Sequence, residues 1–406
     1  MKIGILTQYY PPETGAPQNR LHSLAKYLKK NDHEVSVVTA LPNYPRNKVF
    51  EEYKGKLSVK EIIDNVPVSR TWIYVGQSRA VLSRLLNYFS FVITSFFRLL
   101  FMPRTEVIIC ESPPLFLGIT AVMIAKLKRS KLVFNVSDLW PESAERLNII
   151  NSKWLLGMAY SLERWIYRHS FLISGQTQGI VENIKARFPK KRVVWFPNGV
   201  DLTFWQKEHE AYNWRSELGI TDTEFVILYA GIIGHAQGLE IIPQAAQLLF
   251  NRPVKFIMVG DGPEKEKLIS MVKDAGLSNV LFVPNQSRDR IPSLINMCNA
   301  FLVPLKKLDL FKGAIPSKLF EPLAMRKPVL LGVDGEAREL FINQAKGGLY
   351  YEPENVPALV KAISQLIDDH RQAEQLGSSG FAFVNQYFNR EKIHESFLKE
   401  IAQITA

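Results

Sequence analysis

The stretch Phe311-Lys-Gly-Ala-Ile-Pro-Ser-Lys-Leu-Phe-Glu-Pro-Leu-Ala-Met-Arg-Lys-Pro-Val-Leu330 decides how the rest of the chain is read. A short apolar run at 300–304 precedes it and another at 329–332 follows, each the length of a buried strand. Between them, Pro316 and Ser317 mark a helix start. Proline suits the first helical turn, and a serine hydroxyl can satisfy free backbone N–H groups there. Leu319, Phe320, Leu323 and Ala324 make the apolar face, and Arg326, Lys327 and Pro328 stop the helix. Lys318 and Glu321, three apart, share the other face. A helix start with a lysine beside it is an anion site. A carboxylate one turn further on can accept two hydrogen bonds from a diol such as a ribose. Diphosphate plus ribose points to a nucleotide.

The whole chain fits that expectation. At 406 residues it is long enough for two domains, and 47% hydrophobic content is globular. A net charge of +11 favours anionic partners, namely nucleotides, nucleic acid or a membrane surface. No RNA- or DNA-reading motif accompanies the charge, so nucleic acid is not expected as a partner. Cys110 and Cys298 lie in apolar runs far apart and read as reduced core residues of a cytosolic protein. The opening Met1-Lys-Ile-Gly-Ile-Leu-Thr reads as a strand, its apolar run being too short for a signal peptide. Metal-ligand spacings and Asp-x-Asp pairs are absent, so neither a metal nor another cofactor is expected.

Residues 3–7 form a strand, followed by a loop containing Gly15 and a helix over 18–30. Strand, glycine loop and helix open a doubly wound sheet, where ligands bind at the carboxyl ends of strands. A second strand at 32–39 leads into the rigid loop Leu41-Pro-Asn-Tyr-Pro45. Further strands are expected at 107–111 and 132–136, separated by a helix over 114–129, and then comes Ser137-Asp-Leu-Trp-Pro-Glu-Ser143. Helices over 154–169 and 177–187 flank a strand at 171–174, and the run 193–201 leads through Pro-Asn-Gly to a second domain.

The stretch 82–102 is the most apolar in the chain and could span a membrane on length alone. Ser83, Asn87, Ser90, Thr94 and Arg98, however, make a polar stripe. The expectation is an amphipathic helix with Tyr88, Phe89, Phe91, Phe96 and Phe97 exposed or half-exposed, the alternative being a helix buried in the first domain. Arg70, Arg79, Arg84 and Arg104 would suit anionic headgroups.

The second domain restarts with a strand at 225–230. Gly231, Gly234 and Gly238 then form a phosphate-approach loop before a helix over 239–250. Its spacing is neither the P-loop nor the dinucleotide fingerprint. Phe256-Ile-Met-Val-Gly-Asp-Gly-Pro263 repeats the pattern of strand, glycine turn (Gly260, Gly262) and helix. A last helix begins near 388–392.

These motifs, in this order, resemble the retaining family 4 glycosyltransferases of GT-B fold. They are similar in particular to the subgroup that transfers fucose-type and N-acetylated deoxy sugars in bacterial surface polysaccharide assembly. The resemblance implies an α/β architecture of two doubly wound Rossmann-like domains with a cleft between them. Residues 1–197 would form the acceptor domain and 198–384 the nucleotide-sugar domain, with 385–406 packing back onto the first. It implies donor contacts from Gly15, Gly231, Gly234, Gln237, Gly238, Gly260, Gly262, Pro316, Ser317, Lys318, Leu319 and Glu321. Acceptor-side contacts would come from Arg20, Asn43, Tyr44 and Trp140. Asp138 or Glu142 would receive the acceptor proton, unless Asp138 only caps the next turn, and Lys318 would stabilise the leaving diphosphate. The chain departs from the family twice. Gly313 stands where the first of two paired glutamates falls, and Gln237 replaces a loop lysine.

The function implied is metal-independent transfer, with retention, of a sugar such as N-acetylfucosamine from a nucleoside diphosphate, UDP rather than GDP. The acceptor would be a polyprenyl-diphosphate-linked sugar at the inner face of the cytoplasmic membrane, with the protein peripheral there. The alternatives are a sugar-nucleotide 2-epimerase of the same fold and a non-catalytic membrane scaffold.

Overall fold

Long runs of Val, Ile, Leu and Phe with no polar alternation form strands buried on both faces, as parallel sheets require. The computed structural model describes residues 1–13, 15–44, 47–76, 81–146, 150, 152–210 and 212–405, leaving aside the side chains of Val81 and Leu82. Pro45 and Arg79 therefore lie outside the described residues. The chain divides into two compact units, Met1–Asn198 with Glu391–Ala406, and Gly199–Arg390.

The first unit holds eight strands: β1 (Lys2–Leu6), β2 (Glu34–Ala40), β3 (Ser58–Ile63), β4 (Val66–Thr71), β5 (Val107–Ser112), β6 (Lys131–Val136), β7 (Leu172–Gly175) and β8 (Val193–Trp195). Their order is β3-β4-β2-β1-β5-β6-β7-β8. Every pairing is parallel except β3 with β4. That hairpin turns at Asp64-Asn65, both at positive φ, the conformation a two-residue hairpin demands. The direction of winding reverses between β1 and β5, so ligands are expected at the carboxyl ends of these two strands. The helices that matter for the site are α1 (Ala16–Lys30), α2 (Val81–Leu100), α3 (Leu117–Lys128), α4 (Glu142–Arg146), α5 (Lys153–His169) and α6 (Gln178–Arg187). The closing helix, Arg390–Thr405, completes one side of this core. Phe397 stacks on Phe196 at 4.0 Å, and Ile401 is fully buried among Leu21, Leu24 and Leu28.

The second unit carries β9 (Phe225–Ala230), β10 (Val254–Val259), β11 (Val280–Val283), β12 (Ala300–Pro304), β13 (Val329–Gly332) and β14 (Gly348–Tyr350), all parallel, in the order β11-β10-β9-β12-β13-β14. Its winding reverses between β9 and β12. Both cysteines are buried and free.

Helix α2 forms where expected, and its polar stripe turns inward, leaving Tyr88, Phe89, Phe96 and Phe97 half-buried or exposed as expected. Asn87 donates to the Tyr74 carbonyl and accepts from Gln8, and the Ser90 hydroxyl accepts from the Tyr74 N–H. Thr94 donates to the Trp72 carbonyl, and Arg98 reaches Ser69. These side chains satisfy the irregular backbone after β4, which a wholly apolar face would leave unpaired. Phe91 is fully buried and Phe96 packs half-buried, whereas Leu86, Phe89, Ile93 and Phe97 face outward. Arg70 is also not available to headgroups, being buried against Glu61 and over the Tyr53 ring. Among the described residues, no helix is long and apolar enough to cross a membrane.

Candidate nucleotide and acceptor sites

The second unit builds its site where β9 and β10 end in glycine turns. Gly231 sits at φ +140°, and a Cβ there would lie 2.5 Å from Lys318 Cε. Gly260 sits at φ +138°, and its Cβ would lie 2.0 Å from the Gly231 carbonyl oxygen. Two turns thus lie backbone on backbone, with Lys318 pressed along one of them; a side chain at Gly260 would force the turns apart, and one at Gly231 would displace Lys318. Gly262 approaches the Ile233 carbonyl in the same manner.

Lys318 Nζ donates to the Tyr229 hydroxyl and lies 4.0 Å from the centre of that ring. The hydroxyl in turn donates to the Ile232 carbonyl. Burial lowers the Lys318 amine to about 7, against the opposing pull of Glu321. Burial likewise raises the Glu321 carboxyl above the usual carboxylate range, opposed by the positive charges of Arg288, Arg390 and Lys318. An amine that needs an anion and a carboxyl that needs donors stand three residues apart, neither fully satisfied by the protein.

The segment that carries them differs from the expectation in one respect. Ser317–Leu319 is a turn of 3-10 helix, and the α-helix proper runs only over Phe320–Ala324. Pro316 occupies the cap, and the Ser317 side chain makes no capping bond. So short a helix has little dipole to offer, so an anion seated here would depend more on Lys318. Leu319 is fully buried and anchors the turn.

The glycine loop closes as a 3-10 turn, His235–Gln237, with Gly234 and Gly238 at its two ends. Gln237 folds back toward Gly234. A cation does reach this loop, from the end of β12. The Lys306 N–H donates to the Ala236 carbonyl at 3.0 Å, and its Nζ lies 3.0 Å from His235 Nε2.

In the first unit, the carboxyl ends of β1, β5 and β6 converge on a buried polar network. Arg20, 2% exposed, donates to Glu111 at 2.9 Å, to the Ser137 hydroxyl at 2.6 Å and to Asn198 at 3.0 Å. Ser137 also donates to Glu111, and Asn135 donates to the other Glu111 oxygen at 2.6 Å. Arg20 and Ser137 are therefore committed to the protein's own framework. Glu13, buried at the end of the β1 loop, accepts N–H bonds from Tyr10, Asn43 and Tyr44 and ties that loop to the one after β2. Burial raises its carboxyl despite these donors and nearby Arg70. Asn43 is buried with its amide on the Leu41 carbonyl, while Tyr44 is exposed at the rim beside Tyr9. Gly15 precedes α1 in extended backbone, with Gln18 folded against it.

Asp138 is exposed and accepts the Ser143 hydroxyl at 2.5 Å. Glu142 points elsewhere, to Arg146 at 2.6 Å and Asn183 at 3.3 Å on α6. Trp140 packs edge-on against Phe116, whose ring also meets Phe89 of α2. Of the two candidate bases, Asp138 keeps the more solvent-facing position, and the sequence does not separate them.

Comparison with known proteins fixes the family. A model described as glycosyl transferase 4-like domain matches residues 15–199, and one described as glycosyl transferases group 1 matches residues 211–382. The chain belongs to the group 1 glycosyltransferases. It is 29% identical over 416 aligned residues to WcaI of Escherichia coli, named as a colanic acid biosynthesis glycosyl transferase, with 99% of this chain and 100% of that one covered. It is 22% identical to a lipopolysaccharide 1,2-N-acetylglucosaminetransferase of Salmonella typhimurium, over 66% of this chain and 71% of that one. Among solved structures, sucrose-phosphate synthase from Thermosynechococcus elongatus superposes with a TM-score of 0.75 at 16% identity, covering 99% and 98% of the two chains. HepE from Anabaena in complex with UDP gives 0.71 at 19% identity, covering 99% and 100%. These likenesses establish a two-domain α/β fold of GT-B type.

Four groups of this glycosyltransferase escape the sequence reading: Glu13, Glu111, Tyr229 and Lys306. Glu111 and Lys306 had a usable signal, each being a charged residue at or just past the carboxyl end of an apolar strand. Glu13 and Tyr229 had none, because their roles depend on partners far away in sequence.

Proposed function

We propose that this glycosyltransferase transfers a deoxy or N-acetylated sugar, such as N-acetylfucosamine, from UDP to a polyprenyl-diphosphate-linked glycan in surface polysaccharide assembly. Anomeric configuration is retained and no metal is needed. The observation that carries the reading is the partly buried Lys318 amine held against the bare backbone of Gly231. A diphosphate seated there gains a cation and backbone donors, and Glu321 takes the ribose diol. As the bond from the sugar C1 to the phosphate oxygen breaks, its electron pair goes to the diphosphate, and the charge develops beside Lys318. The acceptor oxygen bonds to C1 on the same face, and its proton passes to the departing phosphate oxygen. Among the described residues, no cluster of three His, Cys, Asp or Glu side chains is placed to hold a metal. The UDP and UDP-glucose complexes of HepE support the choice of UDP. The names of the relatives support a place in colanic acid, lipopolysaccharide or O-antigen synthesis.

Attachment to the inner leaflet of the cytoplasmic membrane fits the outward face of α2. Leu86, Phe89, Ile93 and Phe97, continued by Phe101 and by Met123 and Leu127 on α3, are exposed. Arg84 and Arg104 stand exposed at the two ends.

The test is calorimetric titration with UDP and with GDP in excess EDTA, followed by turnover of UDP-sugars with a lipid-linked acceptor. UDP should bind and turnover should survive chelation. Glu321→Gln should weaken UDP by about 1.5–3 kcal/mol through loss of a charged acceptor. Turnover abolished by EDTA and restored by a divalent ion would remove the metal-independent mechanism. A new sugar nucleotide formed without acceptor would replace transfer by epimerisation.

A further inference from the structure

Beyond the glycine turns, the ends of β12, β13 and β14 in the second unit enclose a recess of about 360 Å³. That lies within the range of about 300–1,000 Å³ usual for small-molecule sites. Phe311 and Tyr350 supply its apolar walls, and Lys307, Lys312, Asp334 and Glu352 its rim. The rim is wired in opposite-charge pairs. Lys307 donates to Glu352 at 2.5 Å, and Lys312 lies 2.7 Å from Asp309. Arg338 lies 3.3 Å from Asp334 while its guanidinium covers the Tyr350 ring at 3.8 Å. The Lys307 N–H is held as well, donating to Glu354 at 2.8 Å. Lys318, Gly231 and Glu321 do not line this recess; Lys306 is common to it and to the glycine loop.

Three lysines (Lys306, Lys307, Lys312) and three carboxylates (Asp309, Asp334, Glu352) line the recess, Lys306 facing His235, and a lining with no net charge favours neither a polyanion nor a cation. Each carboxylate keeps spare lone pairs and each ammonium spare protons, which is what a ring of hydroxyl groups requires. Aromatic walls take the apolar face of a pyranose ring. We propose that this recess is a second carbohydrate-binding site, taking one neutral pyranose unit of a glycan, separate from the nucleotide site.

The experiment is saturation-transfer NMR on the full chain with the methyl glycosides of fucose, galactose, glucose and N-acetylglucosamine, with UDP saturating the nucleotide site. At least one glycoside should show transfer to its ring protons. Tyr350→Phe should retain it, and Tyr350→Ser should reduce it about fivefold or more, the scale of a lost ring contact. Affinity for UDP should be unchanged in both variants. If Tyr350→Ser does not fold, Phe311→Ser, in the same lining, gives the same reading. Absence of transfer at millimolar sugar overturns the proposal, as does equal transfer in wild type and serine variants. So does a signal that disappears when UDP is added, because that sugar was in the donor site. Failure of UDP to bind at all would count against the transfer reading and leave sugar binding to be judged alone.

Discussion

Lys318 is costly to the free protein. Its amine carries an ordinary value of 10.5 when unfolded and about 7 when folded, because burial disfavours the charge. Between those values the folded state holds fewer protons, so stability rises with pH from 7 to 10.5, and below pH 7 the full cost of the buried charge is present. Lys318→Met should therefore raise the melting temperature at pH 7 and below, by roughly 2–4 °C for each kcal/mol recovered. The same variant should lose about 10²–10³-fold in transfer rate, as expected for removing one stabiliser of developing charge. A bound diphosphate restores the proton, so UDP affinity should fall as pH rises above 7, with proton uptake visible in calorimetry. An affinity flat from pH 6.5 to 9 in wild type would place the diphosphate elsewhere. Glu111 poses the opposite case. Glu111→Gln strands the buried Arg20 charge and should destabilise the fold by about 3–5 kcal/mol, read as a lower denaturation midpoint. That Lys318 and Glu321 would lie within electrostatic reach of each other was legible from their spacing beside a proline-led turn. The joining of Arg20 to Glu111 was not, because the pair meets only after β1 and β5 lie side by side.

The period of α2 was readable, and so was the exposure or half-exposure of Tyr88, Phe89, Phe96 and Phe97; the burial of Phe91 was not. A polar stripe predicts solvent only if no unpaired backbone lies nearby. Here the loop after β4 presents the Trp72 and Tyr74 carbonyls, and Asn87 and Thr94 go to them. Replacing Leu86, Ile93 and Phe97 together by serine should leave the fold intact, since all three are exposed. It should also release the protein from anionic vesicles in a sedimentation assay. Phe91→Ser, at a fully buried position on the same helix, should unfold the first unit. Persistent vesicle binding by the folded triple variant would remove α2 from the membrane reading. The β3–β4 hairpin shows another limit. Its turn signal, Asp64-Asn65, is plain in hindsight, yet a hairpin appended to a run of parallel strands breaks the expected alternation of strand and helix.

At the scale of the molecule, the two sheets follow from composition with little room for error. Strands buried on both faces and linked by helices have few alternatives to parallel winding. The turns that end β9 and β10 were visible as glycines, and their backbone contact explains why glycine is needed. The final helix is a long-range feature. Ile393, Phe397 and Ile401 are buried in the first unit although the chain reaches them last. Each such side chain is worth about 1.5–3 kcal/mol. A chain ending at Arg390 should therefore lose much of the first unit's stability and expose Phe196. Circular dichroism and protease sensitivity would report it, and an intact first unit would show the helix to be dispensable.

The placement of that helix sets an order of events during synthesis. Val200 and Asn389 pair side by side, and Arg390 donates to the Gly199 carbonyl, so the second unit begins and ends at one spot. It is an unbroken length of chain and can finish folding as soon as it clears the ribosome. The first unit, although made earlier, stays incomplete until the last residues emerge. For that interval its unfinished core and the apolar stripe of α2 are exposed together. If α2 meets the membrane as proposed, the nascent chain should have its strongest affinity for a lipid surface, or for a chaperone, before the first unit is complete. Stalled chains ending near Arg390 should be held at membranes or by chaperones more firmly than the finished protein.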